Sequence, residues 1–323
     1  MTGKRVTIRD VARSAGVSYQ TVSRALNDKG EIDSGTKQRV LETARELGFR
    51  PSRFARGLVR QDTTSIGLVI PDLLNPFFTE LASAALAAAR LRGWHVLVYD
   101  TADDPDQELG TLRVIGSQVD AIVGYLAAPA AVVDQHTAGL PVVYVERDHS
   151  GPSFGAIRID GEVGLRAAVA HLVEGGRRHI AMVDHDRPEP SARRKWFDAA
   201  MAEHGLTGRV VGAHQSFDGG REALDALLAD GTALDAVIGY NDVIAIGALR
   251  RARALGRSVP DDLAVVGHDG LALGELVEPP LTTVRIDTRR LGGTAIDQAA
   301  RLLAGEQPEV VTIPGELLLR GSA

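Results

Sequence analysis

Thr7-Ile8-Arg9-Asp10-Val11-Ala12-Arg13-Ser14-Ala15-Gly16-Val17-Ser18-Tyr19-Gln20-Thr21-Val22-Ser23-Arg24-Ala25-Leu26-Asn27 decides the architecture of this chain. Thr7 offers a capping hydroxyl, Asp10 stands three positions on, and Ile8, Val11, Ala12 and Ala15 recur on one face, the pattern of a short capped amphipathic helix. Gly16 tolerates the positive φ of a tight turn, Val17 plugs the core, and Ser18 caps a second helix running from Tyr19 to Asn27. Val22, Ala25 and Leu26 share the buried face of that helix, which leaves Tyr19, Gln20, Ser23 and Arg24 elsewhere. Two short helices joined by so brief a turn form a helix-turn-helix, whose second helix docks by its N-terminal part in the major groove. Gln20 can bond an adenine edge twice, Arg24 can pair with guanine, and Tyr19 brings a hydroxyl and a ring face. The competing reading is an ordinary helical hairpin with a solvated polar face.

A third helix follows, capped by Ser34 and running from about Thr36 to Leu47, with Val40, Leu41, Ala44 and Leu47 buried and Gly48 as its stop. Beyond it Pro51-Ser52-Arg53-Phe54-Ala55-Arg56-Gly57-Leu58 begins helix-like but is too short and too glycine-broken to be stable alone. Charge divides at the same place. Residues 1–60 hold 13 Lys/Arg against 6 Asp/Glu, whereas residues 61–323 hold 23 against 36. A basic module on an acidic body is the footprint of a nucleic-acid-binding head on a body with another task.

At 323 residues with 44% hydrophobic content, the chain can build two or three packed domains. The absence of cysteine excludes disulfide scaffolds, thiolate zinc sites and a cysteine nucleophile, and fits a reducing cytoplasm. The polar start Met1 to Arg13 lacks the apolar core of a secretory signal, and no apolar run is long enough to span a bilayer. An unexported cytoplasmic protein without a membrane partner is expected.

From residue 61 onward, short apolar runs alternate with helical patterns such as Phe77–Arg92 and Gly164–Val173. The strand candidates are Ser65–Ile70, His95–Tyr99, Ala121–Gly124, Val142–Val145, Ala156–Ile159, Ile180–Val183, Ala236–Gly239, Leu263–Val266 and Thr283–Ile286. Such runs predict parallel α/β layers, better divided into two doubly wound subdomains than gathered in one sheet. A cleft between two such halves suits ligand binding at the carboxyl ends of the strands. Enzyme motifs are missing. No two glycines stand two apart, so there is no dinucleotide loop, and there is no P-loop. Gly151-Pro152-Ser153-Phe154-Gly155 matches G-x-S-x-G, but Ser153 precedes a strand instead of following one, so it reads as a loop. The nine histidines have no metal-ligand spacing. No catalytic residue, metal or cofactor is expected.

The stretch Val17 to Asn27 and the segment Pro51 to Leu58 resemble the recognition helix and hinge helix of the lactose-repressor (LacI) family of bacterial regulators. The resemblance continues in collinear order through Ile66–Pro71, Asn75–Phe78, His171-Leu172, Asn241-Asp242, Gly267–Asp269 and Pro280–Val284, and so covers essentially the whole chain. It implies a small all-α headpiece at 1–60, with a hinge helix at about 52–60. The body, 61–323, would be similar to periplasmic sugar-binding proteins. Its N-subdomain would comprise about 64–159 plus 287–313 and its C-subdomain about 160–286 plus 314–323, with crossings near Asp160, Ile286 and Pro314.

The resemblance assigns DNA contacts to Thr7, Ser18, Tyr19, Gln20, Thr21, Ser23 and Arg24, and to Arg53, Ala55, Arg56 and Leu58 of the hinge. Leu58 would be a wedge driven into a minor-groove base step, an exchange of unstacking for a bent duplex. Gly57 departs from the helix-favouring residues expected there. For the effector, it implies Arg193 and Asp269 as bidentate partners of vicinal hydroxyls, Asn241 as an amide partner, Glu146 where many members have aspartate, and Phe77 and Phe78 as a ring-binding wall. The bland alternatives are a helix-surface pair for Arg193, a strand-end turn for Asp269, and core packing for at least one phenylalanine. Trp196 stands where the family usually has glycine, and Ile286 where the lactose repressor has a polar ligand-contacting residue; both would reshape the pocket and make one side less polar.

The expected function is a homodimeric, sequence-specific regulator, repressing by analogy, on a pseudo-palindromic double-stranded DNA operator. A small molecule, a sugar in the first reading, would change the closure of the two subdomains and through it operator affinity. The absence of a heptad repeat after Leu317 argues against a tetramerising coiled coil. Competing readings are a sugar-binding transport-type protein, a regulator responding to a purine or nucleoside, and a sugar-converting enzyme fused to a helix-turn-helix.

Overall fold

In the computed structural model, residues 8–26, 33–46, 63–137, 139–147 and 154–323 are described, and the chain divides into two compact units, Met1–Thr64 and Ser65–Ala323. In the first unit α1 (Ile8–Ala15), α2 (Tyr19–Leu26) and α3 (Ser34–Glu46) surround a core of Val11, Ala12, Ala15, Val22, Ala25, Val40 and Ala44, with Val17 packed against it. Gly16 has φ +66°, and the amide of Val17 donates to Ala12 O at 3.1 Å, so the turn forms as its glycine predicts. Ser18 Oγ accepts from the Thr21 amide at 3.1 Å and caps α2. The cap of α3 differs from expectation. Asp33 Oδ2, one residue before Ser34, accepts from the Thr36 amide at 3.0 Å and from the Thr36 hydroxyl at 3.2 Å. Leu41 also departs: it is 39% exposed, because the buried face of α3 runs through Val40 and Ala44. Leu47 lies outside the described residues.

The second unit contains β1 (Ser65–Ile70), α4 (Pro76–Leu91), β2 (His95–Asp100), α5 (Pro105–Ile115), β3 (Ala121–Gly124), α6 (Ala130–Thr137), β4 (Val142–Val145), β5 (Phe154–Asp160) and α7 (Glu162–Glu174). It continues with β6 (Ile180–His185), α8 (Ala192–Glu203), β7 (Arg209–Ala213), α9 (Phe217–Leu228), β8 (Ala236–Gly239), α10 (Asp242–Ala254), β9 (Ala264–Asp269), β10 (Thr282–Ile286), α11 (Thr288–Leu303) and β11 (Val311–Leu318). Among the described residues, the strands are ordered β2-β1-β3-β4-β5-β11-β10-β9-β8-β6-β7, and the β10–β11 pair alone is antiparallel. Every residue of β1, β3, β4, β8 and β9 is buried, as strands covered on both faces must be.

Helices pack on both faces of each half. Leu81 and Ala85 of α4 meet Leu291, Ala295 and Ile296 of α11 over one face of β1 to β5, while Leu112, Ile115 and Val133 cover the other. In the opposite half, α7 and α8 enclose one face through Leu165, Val169 and Phe197, and α9 and α10 the other through Leu224, Ile244 and Leu249.

The two halves are linked by hydrogen bonds where two separate sheets were expected, because β11 serves both. Val311 to Pro314 run parallel to Ile157 to Asp160 of β5, and Gly315 to Leu318 run antiparallel to Thr283 to Ile286 of β10. Gly315 packs directly on Gly161, the residue after β5: a Cβ on Gly315 would lie 2.9 Å from Gly161 Cα, and one on Gly161 would lie 2.5 Å from His268 Nε2. The chain therefore passes between halves through backbone segments too close for side chains. Neither β7 nor β11 is among the sequence-derived strands, and β9 lies further along the chain than Leu263–Val266, reaching Asp269. The first three residues of the G-x-S-x-G match, Gly151 to Ser153, lie outside the described residues, and Phe154 and Gly155 already belong to β5.

Candidate functional site

In the headpiece, Ser18, Tyr19, Gln20 and Arg24 are exposed and Thr21 half-buried, while Val22 and Ala25 of the same helix are fully inside. Ser18 Oγ and Thr21 Oγ1 are hydrogen-bonded at 2.9 Å, which fixes the first turn of α2. The face that remains carries a phenol, an amide and a guanidinium, the donor and acceptor types that read base edges. Thr7, Arg53, Ala55, Arg56 and Leu58 lie outside the described residues, as does the side chain of Ser23.

In the body, the carboxyl ends of the strands of the two halves face one another across a cleft of about 630 Å³. Phe78, Tyr125 and Glu146 line it from one half, and Asp186, Gln215 and Tyr240 from the other. Helix caps build its rims. Asn75 Oδ1 accepts from the Phe77 amide at 3.1 Å, Asp104 Oδ1 from the Asp106 amide at 2.8 Å, Ser216 Oγ from the Gly219 amide at 3.0 Å, and Asn241 Oδ1 from the Ile244 amide at 2.9 Å.

Of the predicted effector residues, Phe78 and Glu146 line the cleft, whereas Phe77 is core, 5% exposed among Leu81, Val123 and Ile286. Phe77, Phe78 and Tyr125 form edge-to-face contacts, with centroids 5.4 Å apart for Phe77–Phe78 and 5.1 Å for Phe78–Tyr125, so Phe77 supports the wall that Phe78 and Tyr125 present. Arg193 and Asp269 lie together beneath the surface. Arg193 Nη2 is 3.7 Å from Asp269 Oδ1, Nη1 donates to Tyr240 O at 2.7 Å, and the guanidinium stacks 4.2 Å from the Tyr240 ring centroid. The Tyr240 ring covers the guanidinium of this pair. Asn241 is also buried, its amide nitrogen donating to Gln215 Oε1 at 3.3 Å. The two departures act away from the cleft surface: Ile286 is 2% exposed in the core, and Trp196 packs beside Gly161 at the crossover.

Electrostatics concentrate at this floor. Burial, reinforced by Glu146 and Asp269, raises the Tyr125 phenol well above 10, and burial likewise raises Tyr240, so both stay hydrogen-bond donors. Burial and then Arg193 hold His268 well below its ordinary range, leaving a neutral imidazole whose Nδ1 lies 3.4 Å from Asp269 Oδ1. Burial also pushes Asp269 up, against the opposing pull of Arg193. Tyr125 Oη and His268 Nε2 are buried without a protein partner. Behind the Tyr240 ring the floor holds a planar cation and an aspartate side chain, with phenolic donors under an aromatic wall, a set that matches hydroxyls on a ring. Tyr125 and Tyr240 are among the lining residues that sequence reasoning missed. Each directly follows a buried strand, β3 or β8, a signal that was present in the sequence. Among the described residues, no cluster of His, Asp and Glu is arranged to hold a metal, and no helix is long and apolar enough to cross a membrane.

A helix-turn-helix head and a two-lobed α/β body with a cleft between its strand ends define a DNA-binding regulator with a ligand-binding body. Residues 7–52 match the family described as bacterial regulatory proteins, lacI family, and residues 169–323 match the periplasmic binding protein-like domain. Catabolite control protein A of Priestia megaterium is 32% identical over 331 residues, spanning 98% of this chain and 99% of that protein. The ribose operon repressor of Halalkalibacterium halodurans is 32% identical over 292 residues, or 90% and 88% of the two chains. Among solved structures, a LacI family transcriptional regulator from Arthrobacter sp. FB24 in complex with lactose superposes with a TM-score of 0.76 at 34% identity, covering 81% of this chain and 100% of that one. The lac repressor dimer bound to operator and an anti-inducer gives 0.72 at 25% identity, with 99% of each chain covered. The chain belongs to the lacI family of bacterial regulatory proteins.

Proposed function

We propose that this chain is a sequence-specific transcriptional repressor, not an enzyme, acting in the cytoplasm on a pseudo-palindromic operator and controlled by a sugar bound in the cleft. The observation that carries the reading is the floor of that cleft, where Arg193, Asp269, Tyr125 and Tyr240 converge beneath the Phe78 wall. Relatives named for a ribose operon and a neighbour holding lactose support it. Relatives named PurR and CytR, together with the aromatic wall, keep a purine or nucleoside effector as the second reading.

In this account Tyr19, Gln20, Thr21, Ser23 and Arg24 read bases, Thr7 and Ser18 position the helix, and Arg53, Ala55, Arg56 and Leu58 act in the minor groove. The lobes are 64–159 with 287–313 and 160–286 with 314–323. The effector displaces the Tyr240 ring and engages Arg193 and Asp269, while Glu146 takes a further hydroxyl and Asn241 holds the rim. Closure of the lobes then shifts operator affinity through differential binding. Dimerisation uses the apolar groove of about 350 Å³ whose lining includes Phe217, Ile246, Leu249, Leu273 and Val277.

A thermal-shift screen against pentoses, hexoses, disaccharides, nucleosides and purines tests the effector. A ligand at a hundred times its dissociation constant adds about 2.7 kcal/mol, and a sugar hit lost in Arg193→Ala and Asp269→Ala establishes the reading. A purine hit moves the effector class, and DNA binding that survives deletion of residues 1–60 defeats the headpiece assignment.

A further inference from the structure

The mouth of the cleft carries an ion pair that the reading above leaves unused. Asp103 belongs to the turn between β2 and α5, Arg187 to the loop after β6, and Arg187 Nη2 donates to both carboxylate oxygens of Asp103. The contact joins the two halves across the opening. The turn is shaped to hold Asp103 there. Ala102 and Asp103 both take positive φ, 49° and 54°, a conformation that costs non-glycine residues energy and persists only where the surroundings fix it. They are fixed by the Asp103 amide donating to Pro71 O at 2.6 Å and the Ala102 amide donating to Asp100 Oδ1 at 2.9 Å.

The other charges on the lining give this pair its meaning. Arg147 spends its terminal nitrogens on the carbonyls of Ala128 and Ala127, at 2.7 and 2.6 Å. Glu108 spends both oxygens on the amides of Ala127 and Ala128, each at 2.8 Å. His214 is the remaining basic side chain on the lining, and a histidine is a weak substitute for a permanent cation. Glu146 and Asp186 face the cleft as carboxylates with no protein donor among the described residues. An entering anion thus meets no uncommitted guanidinium and several carboxylates. A neutral ring bearing hydroxyls supplies the donors those carboxylates lack.

We propose that Asp103 is a specificity-determining residue: by holding Arg187 it makes the cleft accept a neutral polyhydroxylated ring and refuse the phosphorylated or carboxylated counterpart. The proposal rests on the cleft being a sugar site.

The test compares the full chain, Asp103→Asn, and Asp103→Asn combined with Arg187→Gln. Each is titrated with inorganic phosphate and with the pairs glucose and glucose 6-phosphate, galactose and galacturonate, at low and at physiological salt. Asparagine tolerates positive φ as aspartate does, so the turn survives the first change. In the wild type, any anionic member should bind at least tenfold more weakly than its neutral partner, with no protection by phosphate. Asp103→Asn should gain tenfold or more for phosphate and glucose 6-phosphate. That gain should shrink with added salt and vanish in the double variant. A wild type that binds the anionic member as well as the neutral one, or an Asp103→Asn variant that gains nothing for phosphate, overturns the proposal. Silence of the wild type towards every neutral sugar defeats the sugar reading instead, and the phosphate gain in Asp103→Asn still decides whether Asp103 masks Arg187.

Discussion

Asp242 is a fully buried carboxyl in the first turn of α10, with Oδ1 accepting from the Thr283 hydroxyl at 2.6 Å and Oδ2 from the Leu271 amide at 2.7 Å. Gly267 leaves the space it needs, since a Cβ there would lie 2.1 Å from Asp242 Oδ1. Burial pushes this carboxyl up from 3.8 to about 6, even though the bonds from Thr283 and Leu271 pull the other way. Between those values the folded chain keeps a proton that the unfolded chain has released. The contribution of Asp242 is therefore fully present below pH 3.8 and is lost as pH rises through about 6. Its full size, from 3.8 to about 6, is about 3 kcal/mol. Asp242→Asn is neutral throughout and lacks this slope. Urea unfolding followed by tryptophan fluorescence isolates the body, because Trp94 and Trp196 both lie there. Wild-type stability minus Asp242→Asn stability should fall by about 2.4 kcal/mol between pH 4 and pH 7. A difference that stays flat, or that rises, would mean that folded Asp242 does not hold its proton above pH 3.8, whatever constant offset the altered bond to Thr283 introduces.

Arg193→Met strips Asp269 of its cation and the Tyr240 carbonyl of its donor and should cost about 1 to 3 kcal/mol by urea unfolding, since burial lets Asp269 take up a proton; joint replacement with Asp269→Asn should recover part of the loss. Gly161→Ala drives a methyl to 2.5 Å from His268 Nε2 at the crossover, so about 1 to 3 kcal/mol of destabilisation is expected, read as a lower melting temperature. Ser18→Ala removes the hydroxyl that caps α2 and should cost the headpiece about 1 kcal/mol; helical signal on heating and DNA affinity should fall together.

The headpiece is legible in sequence because its signals are local: a turn glycine, a capping serine and a face of Val22 and Ala25 lie within one short span. Where two capping residues adjoin, as at Asp33 and Ser34, composition does not decide between them, and here the carboxylate wins. The doubly covered strands are legible for the opposite reason, since burial on both faces leaves unbroken apolar runs. Strand β7 escapes because only Ala213 of its five residues is buried and it includes Arg209 and Gly212. Strand β11 escapes because Pro314-Gly315 reads as a breaker; those two residues instead mark where the strand changes partner from β5 to β10. At the candidate site, the adjacency of Arg193 and Asp269 follows from the resemblance, but their cover by Tyr240 is a contact across 47 positions that no local pattern announces. The pairing of Asp103 with Arg187 across 84 positions was hidden for the same reason.

Effector occupancy of the cleft should control operator recognition by α2. The direct measurement selects duplexes from a random DNA pool with the full chain, then measures affinity for the enriched sequence with and without the sugar that raises the melting temperature. The expected result is a pseudo-palindromic sequence, an affinity that changes tenfold or more with the sugar, and loss of that change in Arg193→Ala. An enriched sequence whose affinity is indifferent to every ligand that stabilises the body, or no enrichment at all, would contradict it.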